Sequence, residues 1–338
     1  MPTYKDIQAM TGLSLSTISK YYNGLPVREK NRLAIQEAAT SLGYRVNTVA
    51  RSLRSRRSST VGVLLPALDN DFHLTIIAGV EAALRADGIS VLVCSSRPTP
   101  GDAVDFLMGR MVEGIIAVPT SNDVDALRKV AAQGVPVVAI DWVAPDLDTD
   151  RVVLDNLAAG AAVARHLADH GHGRVALVGG DPAISTMRER AEGFRSTLAA
   201  RGISLEEECL TSGPLTVESG QASTERLLAL PDRPTALFAA NYELTLGMLI
   251  AVNDSGLRVP TDISLVGFDS AELARAVRPQ LTMFEQPTPA IAREAARLVR
   301  ERLDGQAGAG PETVRLGGRL LVGASVAVLH DRATPPPG

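Results

Sequence analysis

The sequence predicts an α/β protein with an N-terminal three-helix helix-turn-helix headpiece and a two-lobed, doubly wound α/β body. Three observations predict it. From Val61 onward, short continuous apolar runs alternate with amphipathic helical segments, the pattern of parallel strands covered on both faces. The first 45 residues carry instead three helix-length segments with capping and turn signals. Between the two lies RVNTVARSLRSRRSST (45–60), five arginines among serines and threonines, which reads as a linker.

In the headpiece, Thr3-Tyr4-Lys5-Asp6 has the form of a capping box, and Ile7 and Met10 follow as an apolar stripe. Gly12 ends that helix. Ser14 caps a second helix that runs to about Tyr22, and Asn23-Gly24-Leu25-Pro26 makes a turn. A third helix spans about 28–42, with Leu33, Ile35 and Leu42 inward and Gly43 just past its end. In the body the predicted strands are Val61–Leu65, Ser90–Cys94, Gly114–Val118, Val135–Ile140, Arg174–Val178, Ala236–Ala240 and Ser264–Phe268. Leu74–Ala86, Leu157–His170 and Met187–Arg201 are among the helices between them. About 270 residues is long for one doubly wound sheet, so the body is expected as two lobes. The proline-rich end, 331–338, is expected to be disordered.

Composition narrows the class. The chain has 338 residues, 45% hydrophobic and 21% charged, as in a globular protein with a sizeable core. Its net charge of −4 conceals an asymmetry: residues 1–60 hold ten basic and three acidic side chains, the remainder 24 and 35. A basic block on an acidic body suits a polyanion, although a solvated basic arm would carry the same charge. No run of eighteen apolar residues suggests a membrane span. The opening MPTYKDIQAM lacks the basic-then-apolar pattern of a secretory signal, and Cys94 and Cys209 are isolated, so a cytoplasmic location with reduced thiols is expected. There is no G-x-S-x-G, P-loop or H-E-x-x-H motif, which argues against an enzyme. His166 and His170 are four apart with His172 nearby, but neither a metal nor a cofactor is expected.

A helix, a turn containing Gly12 and a second helix with a polar face make a helix-turn-helix, in which the second helix enters the major groove. Leu15, Ser16, Ser19 and Lys20 share its exposed face while Ile18 points inward. Lys20 suits guanine O6/N7 and Leu15 a thymine methyl; Thr17, Ser19 and Asn23 suit phosphate oxygens. The bland alternative is a three-helix interaction module.

TYKDIQAMTGLSLSTISKYYNG, VREKNRLAIQEAATSLGY and RVNTVARSL closely resemble the LacI/GalR family of bacterial transcription regulators. Through the body the resemblance continues in PVVAIDW (136–142), VVLDNLAAG (152–160), HGRVALVGGDP (172–182 region), RERAEGF (188–194), RPTALFAAN (233–241), GLRVPTDISLVGFD (256–269) and LTMFEQP (281–287). It implies a headpiece over 1–45, a hinge over 46–60, and an effector-binding and dimerisation body over 61–330, similar to periplasmic sugar-binding proteins. Lobe 1 would take 61–156 and 287–318, lobe 2 157–286 and 319–330. It implies a homodimeric repressor of double-stranded, palindromic operator DNA, controlled by a small-molecule effector of the sugar class, with no membrane. In relatives the segment matching Asn47–Arg54 folds into a hinge helix on the operator. Leu53 would wedge into the minor groove, with Asn47, Arg51 and Arg54 beside it; a floppy linker is the alternative. The chain departs from the family pattern at Gln8, Lys20, Arg28 and Val46, and in the body at Leu215 and Tyr242.

The effector residues combine both kinds of reading. Asp141, Asn241 and Asp269 fall directly after predicted strands, where α/β folds present ligands, and Arg190 follows a strand and its VGG loop. The resemblance assigns these four, and Gln286, to hydrogen bonds with a ligand; Phe72 and Trp142 would supply apolar faces. A receptor that only captures a solute would share the cleft, but it would not need the headpiece.

The basic block yields a direct expectation. A dimer making about 8 phosphate contacts should show a log–log dependence of DNA affinity on salt with a slope near −7. A fluorescence titration with a slope near zero would exclude DNA binding by this surface.

Overall fold

The computed structural model describes residues 2–22, 25–44, 58–68, 71–96, 102–141 and 147–329, and the chain divides into two units, 1–59 and 60–338. Asn23, Asn47, Arg51, Leu53, Arg54, Trp142 and the 331–338 end lie outside the described residues.

The headpiece has helices α1 (Tyr4–Thr11), α2 (Leu15–Tyr22) and α3 (Glu29–Leu42). The Asp6 carboxylate accepts from the Thr3 backbone N–H at 2.7 Å and from its hydroxyl at 2.8 Å, tying down the first turn of α1. Gly12 and Gly43 close α1 and α3 in the left-handed conformation. Ile7, Ile18, Ile35 and Ala38 form the core, walled by Tyr4, Tyr21, Tyr22 and Tyr44; the rings of Tyr4 and Tyr22 stack at 5.3 Å. Two expectations fail here. Met10 and Leu33 are each 53% exposed. On α3 the inward row is Ile35, Ala38, Ala39 and Leu42, spaced three and four apart, and Leu33 lies two residues off that row. On α1 the inward row runs through Tyr4 and Ile7, and Met10 sits at its margin.

The body contains two six-stranded sheets of one design. Lobe 1 consists of β1 (Thr60–Leu65), β2 (Ser90–Ser95), β3 (Gly114–Ala117), β4 (Val137–Ile140), β5 (Asp150–Leu154) and β11 (Thr313–Leu316) in the order β11-β5-β4-β3-β1-β2. All its pairings are parallel. Lobe 2 consists of β6 (Val175–Val178), β7 (Leu210–Thr211), β8 (Ala236–Ala239), β9 (Ser264–Phe268), β10 (Thr282–Glu285) and β12 (Arg319–Leu321) in the corresponding order β12-β10-β9-β8-β6-β7. Here β12 alone runs antiparallel, against β10. The central strands β3, β4, β6, β8 and β9 are buried at every residue, which is why they read as unbroken apolar runs. β4 begins at Val137, later than the expected Val135, because Pro136 has no N–H to give the ladder; its carbonyl accepts from Ile115 at 2.8 Å.

Helices α4 (Asp71–Ala86) and α12 (Thr288–Leu303) cover one face of the lobe 1 sheet, and α5 (Asp102–Gly109) and α6 (Val124–Ala132) the other. Lobe 2 is covered by α7 (Asn156–Asp169), α8 (Ser185–Ala200), α9 (Val217–Leu228) and α10 (Tyr242–Ser255), with the short α11 (Ala271–Ala276) after β9. The chain therefore passes between lobes three times: from β5 to α7, from β10 to α12, and from β11 to β12 through Gly317 and Gly318.

Helices α7 and α8 lie backbone to backbone because two glycines allow it. A Cβ on Gly160 would run into the Arg190 carbonyl oxygen, and one on Gly193 into the Leu157 carbonyl oxygen. This close approach fixes the turn of α8 from which the Arg190 side chain departs. Gly160→Ala must push α8 away from α7, and a loss of about 1–3 kcal/mol in the stability of the body is expected by thermal or urea unfolding. An unchanged midpoint would mean that the two helices do not meet at these glycines.

Candidate functional site

Two surfaces carry the candidate residues. On the headpiece, Ile18 anchors α2 to the core. The Ser14 hydroxyl accepts the Thr17 N–H at 3.2 Å, capping the first turn. Leu15, Ser16 and Lys20 are exposed, and Thr17 and Ser19 are half-exposed on the same helix. Ser16 Oγ and Thr17 Oγ1 each lie 2.9 Å from Ser14 Oγ, so the N-terminal turn presents a connected row of hydroxyls. Five of the residues singled out in the sequence thus occur together on an eight-residue helix.

In the body the repeated topology brings Asp141 and Asp269 to equivalent places. Each is the residue after the third strand in the order given for its sheet, β4 in lobe 1 and β9 in lobe 2. Each gives its N–H to the neighbouring strand: Asp141 to Val152 O at 3.0 Å, Asp269 to Phe284 O at 2.9 Å. Both have positive φ, 67° and 86°, in a region that non-glycine residues avoid at a cost of about 1–3 kcal/mol. Strain of this kind, placed at both strand ends, aims a carboxylate where an ordinary strand continuation would not.

Arg190 projects from α8 and is 1% exposed, the bulkiest of the fully buried side chains. Its Nε and Nη2 donate to Asn156 Oδ1 at 3.2 and 2.6 Å, and its Nη1 donates to the Ala240 carbonyl. The guanidinium lies over the Phe268 ring, 3.5 Å from its centre. Burial lowers the Arg190 pKa, opposed by the nearby charges of Asp269 and Asp141. Desolvation pushes the Asp269 carboxyl up to about 7 against the pull of Arg190 and a hydrogen bond from Gln286. Burial raises Asp141 likewise, again opposed by Arg190. The Asp141 Oδ1 is enclosed and has no hydrogen-bond partner.

A cavity of about 490 Å³ opens between the lobes. Phe72 and Asp71 line it from α4, and Asp269, Tyr242 and Gln286 from lobe 2 and the second crossover. Gln286 donates from Nε2 to Asp269 Oδ1 at 2.6 Å, while its buried Oε1 has no partner. Of the effector candidates, Phe72, Asp269 and Gln286 line this cavity; Asp141, Arg190 and Asn241 are not on its wall. Asn241 is the N-cap of α10, accepting from Leu244 N at 2.9 Å and donating to Glu243 at 2.6 Å.

Sequence reasoning did not single out Asn156 or Phe268, although both sit in quoted segments, VVLDNLAAG and VGFD. Neither residue type announces that it will hold a guanidinium 34 or 78 residues away in the chain. His172 is buried between Thr235 Oγ1 at 2.8 Å and the Ala327 carbonyl at 3.2 Å, and desolvation lowers its pKa to about 4. Glu206, Glu208 and Cys209 converge at the surface, where Arg174 takes both carboxylates at 2.5 Å.

Residues 164–326 match the model of a periplasmic binding protein-like domain. The chain is 31% identical over 309 residues to the HTH-type transcriptional repressor PurR of Photobacterium profundum, covering 90% of this chain and 92% of that protein. It is similar to a solved complex of the transcriptional regulator CelR with cellobiose, at 29% identity and a TM-score of 0.73, covering 96% and 100% of the two chains. It is also similar to the Lac repressor dimer bound to operator and the anti-inducer ONPF, at 26% identity and a TM-score of 0.83, covering 96% and 99%.

The shifted carboxyl makes a stability prediction. The folded body holds the Asp269 proton more tightly than the unfolded chain, whose carboxyl stays near 3.8. The associated stability is complete below the unfolded value and is lost as pH rises through about 7. Thermal unfolding should therefore fall from about pH 5 to about pH 8, and Asp269→Asn should flatten that decline. An identical pH profile in the variant would show that Asp269 is ionised throughout.

Proposed function

This chain belongs to the LacI/GalR family of bacterial transcription regulators and is a ligand-controlled repressor, and we propose how its parts divide that work. The observation that carries the proposal is their coexistence in one chain. One part is a helix-turn-helix whose second helix exposes Leu15, Ser16 and Lys20; the other is a two-lobed body whose cavity is edged by partly satisfied polar groups. The relatives it matches are regulators, not enzymes.

In this reading α2 lies in the major groove. Lys20, with Ser16 and Leu15, meets base edges there, while Thr17, Ser19 and Asn23 hold phosphates. Asn47, Arg51, Leu53 and Arg54 form the hinge contact in the minor groove. The protein works in the cytoplasm, and among the described residues no helix is long and apolar enough to cross a membrane.

It acts as a homodimer on a palindromic operator. What supports the dimer is the edge strand β2, partly exposed along its length. The helices packed on β2 also carry the exposed Leu74 and Phe106. Such an edge is a liability in water and is ordinarily covered.

The effector is a small polar molecule of the sugar class, held between the lobes. Asp269, Gln286 and Phe72 line its cavity, with Asp141, Trp142, Arg190 and Asn241 completing the site when the lobes close. A ligand that binds open and closed lobes unequally shifts their balance, and through it the operator affinity.

Arg190 offers the sharpest test, because a Lys keeps the charge but loses the planar fork. Arg190→Lys should weaken binding of the active members of a sugar panel that includes cellobiose and ribose by at least about tenfold. Operator affinity without effector should stay within about twofold. Sugar affinities equal to the parent's would remove Arg190 from the site.

A further inference from the structure

The interlobe cavity is built mainly of acceptors and negative charge, and this bears on the chemistry of its ligand, granted the reading of the cavity as the effector site. Asp71, Asp269, Glu272 and Glu285 all line it; burial holds the Asp269 carboxyl up at about 7, so Asp71 and Glu272 carry most of the unpaired negative charge. Among the described residues the wall has one cation, Arg319, and that guanidinium is paired with Glu285 at 2.5 Å. Arg190 is off the wall and turns donors to Asn156 and to the Ala240 carbonyl; when lobe closure brings it to the ligand Asp141 comes with it, so the excess of carboxyl groups over cations is kept. Gln286 lines the cavity and is 5% exposed, and its buried Oε1 has no hydrogen-bond partner.

We propose that the effector is a cation of the amino-sugar class: a hydroxylated ring carrying a protonated amine. An ammonium group has three donors and no acceptor, which matches a wall of carboxylates and an unpaired amide oxygen. The charge balance points the same way. When lobes close on a ligand, water leaves, and carboxylates in excess of cations become costly unless the ligand brings positive charge. A phosphorylated or carboxylated sugar would set like charge against Asp71 and Glu272, a juxtaposition that discriminates strongly against such a partner. The hydroxyls of the ring supply further donors, and a cavity of about 490 Å³ has the size of sites for small polar ligands.

Calorimetric titration of the full-length protein near neutral pH tests this with glucosamine, galactosamine and mannosamine. Each is set against its parent hexose, its N-acetyl derivative and its 6-phosphate, with putrescine as an amine that lacks the ring. N-acetylation removes the charge and keeps the ring. At least one hexosamine should bind at least about tenfold more tightly than its three counterparts and than putrescine. In the Asp71→Asn, Glu272→Gln double variant, which alters two exposed side chains, that preference should shrink to within about threefold. A parent hexose, acetylated or phosphorylated sugar that binds as well as the amine overturns the proposal. If that binding is lost in Gln286→Ala, the cavity remains the effector site and only the charge class falls. A hexosamine whose affinity Gln286→Ala leaves unchanged overturns the site reading itself. Putrescine binding as tightly as the hexosamines, or no binding by any of them, overturns the amino-sugar class.

Discussion

A guanidinium almost wholly out of water is the constraint around which the body is arranged. Burying an unpaired ion in protein costs several kcal/mol even after relaxation, so Arg190 demands partners on every side. Asn156 and the Ala240 carbonyl accept from its edge, the Phe268 ring accepts its face, and Asp269 and Asp141 supply opposing charge. These groups come from the start of α7 and the ends of β8, β9 and β4. The glycine contact between α7 and α8 sets the root of the side chain at the required depth. The ends of strands from both lobes are thereby gathered about one charge.

The two lobes share a topology, and that repetition has a chemical consequence. It delivers one carboxylate from each lobe, Asp141 and Asp269, on equivalent turns with the same unfavourable backbone sign. Both carboxylates are shifted upward by desolvation and downward by the same arginine. Any motion of one lobe relative to the other changes how these three charges see each other. The lobes also meet outside the cavity, where Glu189 of α8 and Arg315 of β11 approach to 3.3 Å. That pair is partly exposed and of modest worth, so it can separate without large cost. Three chain crossovers and this ion pair join two separately packed sheets.

Much of this was legible in the sequence, for reasons that particular residues illustrate. The buried strands β1, β3, β6, β8 and β9 appear as apolar runs because both their faces are covered. β5 escaped notice because it opens with Asp150 and Arg151, and Asp150 is matched by Arg302 at 2.7 Å, a partner half a chain away. β7, β11 and β12 are short and lie at sheet edges, where alternation has no room to develop. Asp141, Asn241 and Asp269 could be placed at strand ends from chain order alone. Their partners could not: Asn241 caps its own helix, and Gln286 donates to Asp269. Met10 and Leu33 show the opposite failure, apolar residues whose helical phase leaves them in water.

Coupling of the cavity to the DNA-reading helix through the state of the lobes requires that effector and operator change each other's affinity by one factor. Effector affinity should be measured by calorimetry on the free repressor and again on repressor saturated with an operator duplex selected by the protein itself. The two affinities should differ by the same factor by which effector changes operator affinity, roughly 5–150-fold. Equal effector affinities in the free and DNA-bound protein would contradict it.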